Sequence, residues 1–179
     1  MNKTSISQES ISFKAGDALI DPLVINYGGN KVRLTEVKHS FDLDLDGKKD
    51  EINFVGQGSG FLALDKNQDG TINDGNELFG PKSGNGFSEL AKYDDDKNGW
   101  IDENDAVFNK LKIWTKDENG TMNLYSLKEK GVGALYLEKA STQFDMESNG
   151  EKAGKLKESS VFLREDGSAG TLQEIDLKI

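Results

Sequence analysis

The pattern Asp-x-Asp/Asn-x-Asp/Asn-Gly occurs three times in this chain, beginning at Asp42, Asp65 and Asp94. The starts lie 65 − 42 = 23 and 94 − 65 = 29 residues apart. A glycine at the sixth place calls for a sharp turn, and carboxylates at alternate positions repel one another. Each copy must therefore be a loop, and each loop needs a counter-charge. The net charge of −10 carries the same demand to the whole chain.

Ca²⁺ is a hard cation that takes six to eight oxygens in flexible geometry. The known loop solution draws ligands from positions 1, 3, 5, 7, 9 and 12, with Gly at 6. The copy DDDKNGWIDEND (94–105) supplies Asp94, Asp96, Asn98, the Trp100 carbonyl, Asp102 and Asp105 at those places, with apolar Ile101 at position 8 to anchor the loop. The copy over 65–77 supplies Asp65, Asn67, Asp69, the Thr71 carbonyl and Asn73, with Ile72 at position 8. Its position 12 is Asn76, so Asp74 or Glu77 must swing inward to close it, and Gly75 gives the chain that freedom. The copy over 42–53 supplies Asp42, Asp44, Asp46, the Lys48 carbonyl and Asp50, and runs into a strand. A worn fourth copy is visible at DENG (117–120). Zn²⁺ is disfavoured by the absence of Cys and a single His, and Mg²⁺ by its retention of water.

The acidic balance disfavours binding to nucleic acid or anionic lipid. No apolar run approaches the length of a membrane span. The first residues, MNKTSISQESISFKAGD, lack the apolar centre of a cleavable leader. Export by another route to a calcium-rich exterior is the expectation, ahead of a cytoplasmic location. The expected partners are calcium ions, with any protein partner unknown.

Residues 1–20 read as a flexible lead-in and 21–179 as one domain. Strands are expected at DPLVINY, KVRLTEV, DEINFV and FLALD, and again at GALYLE, SSVFLRE and TLQEIDLKI, with a hairpin turn in ESNGEK. Phe87, Leu90 and Ala91 before the third loop, and Val107, Leu111 and Trp114 after it, follow helical spacing. The expected fold class is thus α+β: short helices flanking EF-hand-like loops, packed with antiparallel strands at both ends of the chain.

The stretches DPLVIN, FLALDKNQDGTINDGNELFG, GFSELAKYDDDKNGWIDENDAVFNKLKIW and SLKEKGVGALYL together resemble a bacterial EF-hand-like calcium-binding family. That family includes the self-processing modules of RTX-type secreted proteins. The resemblance covers about residues 21–137. It implies calcium as cofactor and, in the self-processing members, Ca²⁺-triggered cleavage of an Asp-Pro bond, after which the freed Asp carboxyl can join a Lys amine. The matching bond here is Asp21-Pro22. An Asp carboxylate can attack its own carbonyl to close a five-membered anhydride, and folding would supply the orientation. The chain departs from the pattern just downstream. Residues 26–30 are NYGGN, where those modules are acidic. The sequence therefore favours a non-catalytic, calcium-stabilised module, with self-processing at Asp21-Pro22 as the alternative.

The glycine-rich stretches at 56–60 and 80–86 lack phosphate-loop spacing and read as turns. His39 reads as an exposed strand position with no nucleophile motif beside it.

Overall fold

The computed structural model describes residues 18–29 and 31–179. Residues 1–17 of the expected lead-in, and Asn30, lie outside the described residues. The chain forms strands β1 (Leu19–Ile20), β2 (Leu23–Asn26), β3 (Leu34–Phe41), β4 (Asp50–Val55) and β5 (Ser59–Leu64). One five-residue helix, α1 (Gly86–Leu90), follows. Then come β6 (Trp100–Ile101), β7 (Leu111–Lys116), β8 (Met122–Ser126), β9 (Val132–Tyr136), β10 (Ala140–Ser148), β11 (Glu151–Arg164) and β12 (Ala169–Lys178).

Ten of these strands make one antiparallel sheet in the order β6-β9-β11-β12-β2-β5-β7-β8, with β1 also on β12 and β10 also on β11. β3 and β4 form a separate hairpin. Leu23 and Ile25 of β2, Leu62 of β5, Leu111 and Ile113 of β7 and Leu172 of β12 face one core, which Phe87 and Leu90 of α1 complete. The alternate residues Val24, Phe61, Ala63, Trp114, Ile175 and Leu177 face a second core, closed by Phe41, Ile52 and Phe54 of the β3–β4 hairpin. A sheet buried on both faces reads as continuous apolar runs, because every side chain meets a core. Asn149 and Gly150, both at positive φ, turn β10 into β11, as the Asn-Gly pair predicts.

The α+β expectation is overturned. Among the described residues the molecule is a curled antiparallel β structure with one short helix. Helical spacing before the third loop corresponds to α1 and the turn Ala91–Tyr93. Helical spacing after it does not survive. Val107 and Phe108 sit in turns, and Leu111–Lys116 is β7, paired with β5 and β8. Leu111 and Trp114 face opposite cores, so their separation reflects burial on two sides of a strand. The worn copy at DENG is the β7–β8 turn, where the Asp117 carboxylate accepts the Asn119 and Thr121 N–H groups. His39 is half-buried, its ring within 6 Å of Phe54 and Trp114.

Candidate functional site

The three acidic loops share one backbone design. Position 4 is left-handed in each (Leu45, Gln68 and Lys97, φ 66, 60 and 58°), as is the position-6 glycine (Gly47, Gly70 and Gly99, φ 86, 81 and 84°). A non-glycine residue held there is strained, by about 1 kcal/mol or more, and persists only where its surroundings fix it. The wiring that fixes it also repeats. The position-6 N–H donates to the position-1 carboxylate in Gly47–Asp42 (3.1 Å), Gly70–Asp65 (2.9 Å) and Gly99–Asp94 (2.9 Å). The position-5 N–H donates to the position-3 side chain in Asp46–Asp44, Asp69–Asn67 and Asn98–Asp96. The position-7 N–H donates to the position-5 side chain in Lys48–Asp46, Thr71–Asp69 and Trp100–Asn98. Carboxylate and amide oxygens are thereby turned inward in all three loops.

Each loop is closed by one acid, at a different position. In the third, Asp105 (2% exposed) accepts the N–H groups of Asp95 at 2.6 Å and Asp102 at 2.9 Å. In the second, Glu77 (4% exposed) takes the same two places, accepting from Lys66 and Asn73, both at 2.9 Å. Glu77 stands one residue later than Asp105 relative to its loop start, and its extra methylene makes up the reach. Asp74, the other acid considered for this role, caps the turn Gly75–Glu77 by accepting the Asn76 N–H at 2.8 Å, and is no part of the inward set. In the first loop Asp50, at position 9, accepts the Leu43 N–H at 3.4 Å. Asn53 turns away and donates to the Thr35 carbonyl.

Two groups of three carboxylates can share a metal ion: Asp42, Asp44 and Asp50, and Asp94, Asp96 and Asp105, each with ligand oxygens within 4.8 Å of one another. The second loop has Asn67 where the others have an acid. Its Asn67 amide donates to Asn73 and Asp69, and Asp102 of the third loop accepts from Asn98. Lys48 is exposed and its ammonium folds back to Asp46 at 3.4 Å. Burial, and then the neighbouring Asp44 carboxylate, hold Asp50 above the ordinary carboxylate range. Asp42 Oδ1 is buried without a hydrogen-bond partner. An uncompensated carboxylate oxygen is costly unless a cation meets it. The loops are anchored to opposite cores, Ile101 to one and Leu43 and Ile72 to the other. The first two loops are also tied together by Gly75 N–H donating to the Asp42 carbonyl at 2.8 Å.

The second feature is the neighbourhood of Asp21-Pro22. The register of β1 on β12 (Leu19 opposite Lys178, Ile20 opposite Leu177) continues unchanged into β2 (Leu23 opposite Glu174). Asp21 and Pro22 thus stand in one interrupted strand, with Asp21 opposite Asp176 and Pro22 opposite Ile175, whose N–H donates to the Pro22 carbonyl at 3.2 Å. The Asp21 carboxylate accepts from Lys157 Nζ at 2.9 Å, and the same ammonium lies 3.4 Å from Asp176. Lys157 is the extra residue of a β-bulge between Leu156 and Glu158. Bulges re-aim a side chain, and this one aims an ammonium at two acids. Gly80, at φ +116°, presses so closely on Asp21 that a Cβ there would lie 1.8 Å from the Asp21 carbonyl oxygen. Leu23 N–H donates to the Phe79 carbonyl at 2.9 Å.

Glu174 (1% exposed) and Asp176 (8% exposed) share the Asp21 face. Burial pushes both well above the ordinary carboxylate range, and for Asp176 the Asp21 carboxylate adds to the effect. Burial pulls Lys157 down, but its hydrogen bond to Asp21 and the surrounding acids outweigh that and raise it. Sequence reading missed Lys157, Glu174 and Asp176. The signal for the last two was present: in TLQEIDLKI they fall in phase with buried Leu172, where an acid needs a reason to be.

Residues 23–178 match the family model described as the SPM domain. Over 171 residues the chain is 25% identical to the iron-regulated protein FrpA of Neisseria meningitidis serogroup C, an alignment covering 87% of this chain and 15% of that relative.

Proposed function

The chain belongs to the SPM domain family, and on that premise we propose that it is a calcium-binding module whose fold is set by Ca²⁺ in the three acidic loops. The first ion is held by Asp42, Asp44, Asp46, the Lys48 carbonyl and Asp50. The second is held by Asp65, Asn67, Asp69, the Thr71 carbonyl, Asn73 and Glu77. The third is held by Asp94, Asp96, Asn98, the Trp100 carbonyl, Asp102 and Asp105. The observation that carries the reading is the threefold repetition of inward oxygens, with the orphaned Asp42 Oδ1 among them. The donor set is all oxygen, which suits Ca²⁺ and not a soft metal. When bound, the ion removes the repulsion among the acids and so stabilises the folded chain. Asp105 at position 12 of the third loop reaches less far than the usual Glu, which favours weaker sites suited to the millimolar calcium found outside cells and so an extracellular setting. Equilibrium dialysis against Ca²⁺, with Mg²⁺ as competitor, tests this. Retention of about three ions is expected, and no retention at millimolar calcium would end the reading.

A second reading is favoured by the buried setting of Asp21-Pro22, namely calcium-dependent self-processing at that bond. Ordinary strand pairing gives no reason to place two acids opposite each other, since like charges there are destabilising. Here Asp21 and Asp176 are joined by a bulged lysine, and Gly80 presses on the Asp21 backbone where no side chain would fit. Incubation with Ca²⁺ followed by mass spectrometry should yield a fragment ending at Asp21 and another beginning at Pro22. Asp21→Ala should yield neither.

A further inference from the structure

We propose that Asp176 is the acid that delivers a proton to the Pro22 nitrogen as the Asp21-Pro22 bond breaks, with Lys157 holding Asp21 for attack. The inference rests on the self-processing reading. A tertiary prolyl amide does not leave as an anion, so its nitrogen needs a proton as the C–N bond opens. The register places Asp176 directly across from Asp21. It is buried, and its Oδ1 makes no hydrogen bond while lying 3.4 Å from Lys157 Nζ. Two carboxyls at one cross-strand position, out of water, do not both ionise readily, so one proton stays with the pair. Burial and the Asp21 carboxylate both favour keeping it on Asp176.

Lys157 fixes Asp21 Oδ2, leaving Oδ1 to attack the Asp21 carbonyl carbon. The C–N bond breaks, its electron pair stays on the Pro22 nitrogen, and that nitrogen takes the Asp176 proton. The products are a five-membered anhydride at Asp21, a prolyl amine at Pro22 and an Asp176 carboxylate beside the Lys157 ammonium. Water then opens the anhydride. The charged groups facing Asp176 are Asp21 on its own strand pair, Lys157 and Lys155 on β11, and Glu174 along β12.

The test follows fragment release by mass spectrometry across a pH series, using the full chain with saturating Ca²⁺. Wild type is expected to slow as pH rises through neutrality, where the acid loses its proton. Asp176→Asn, nearly the same shape, is expected to be at least about 100-fold slower, the scale of a lost general acid, and flat with pH. Asp176→Glu restores an acid and should recover part of both rate and pH dependence. It decides the matter if the Asn variant fails to fold by circular dichroism. Wild-type rate and pH profile in Asp176→Asn would overturn the role of Asp176 while leaving self-processing intact. A folded Asp176→Glu without pH dependence would overturn it too. No cleavage of wild type, matching Asp21→Ala, would overturn both.

Discussion

Replacing Glu77 by Gln tests the wiring of the second loop directly. Its carboxylate accepts two close N–H bonds, from Lys66 and Asn73, and a longer one from Asn67 at 3.4 Å. The amide keeps one oxygen and turns an NH₂ toward the other donor. One charge-assisted bond is lost, at about 1.5–3 kcal/mol, and the survivor falls toward neutral strength, for a total near 3 kcal/mol. In a chain of this size each kcal/mol moves the melting temperature by about 2–4 °C, so Glu77→Gln should melt about 6–12 °C lower in chelator. Calcium should widen the gap, because an ion at a hundred times its dissociation constant contributes about 2.7 kcal/mol that the variant forfeits. Asp74→Ala is the comparison. It removes a cap worth about 1 kcal/mol and leaves the calcium increment intact. Thermal unfolding followed by circular dichroism, with chelator and with Ca²⁺, reads all four quantities. If Asp74→Ala lost as much as Glu77→Gln, or if Glu77→Gln kept the full calcium increment, the assignment of the closing acid would be wrong.

Four further outcomes are expected. Gly80→Ala should destabilise the protein by about 2–4 kcal/mol in urea unfolding, since its Cβ meets the Asp21 carbonyl oxygen and its φ is left-handed; a neutral result would mean the backbone there moves freely. Calcium should change the emission of Trp100, whose ring packs on Tyr136 at 4.5 Å, and Asp94→Ala should abolish most of that change in a fluorescence titration. Phe54→Ala should cost about 3–5 kcal/mol, because Phe54 packs edge-on against Phe61 and Trp114 at 4.8 and 4.9 Å. Asp176 binds its proton more tightly folded than unfolded, so wild type should lose stability relative to Asp176→Asn as pH climbs from about 4, the free carboxylate value, toward neutrality. Melting temperatures of the two proteins at saturating Ca²⁺ that ran parallel across this range would count against the shared proton.

The loops were legible because their chemistry is local. Spacing and glycine fix the turn, and the Asp and Asn side chains cap their own backbone. The closing acid of the second loop was not, since Gly75 leaves two routes open and only the folded positions of the Lys66 and Asn73 N–H groups select Glu77. Terminal strands declared themselves by alternation and by the Asn149-Gly150 turn. Residues 107–114 misled because a strand buried on both faces carries no period of two, so a chance spacing of four and three imitates a helix. The setting of Asp21 was invisible for a different reason. Its partners Lys157 and Asp176 come from the far end of the chain, and Lys157 reaches it only through a bulge that no local pattern announces.

The interrupted strand that carries Asp21 lies between β5 and the last strand of the described chain. Half of its hydrogen-bonding partners therefore lie far along the chain, with Leu23 facing Glu174. Early loops can fold locally, but the middle of the sheet has to wait for its missing neighbour, a closure of the kind that slows folding. Until then the Asp-Pro linkage is an ordinary, solvated peptide, and Glu174 and Asp176 are buried only when that distant strand closes on β2.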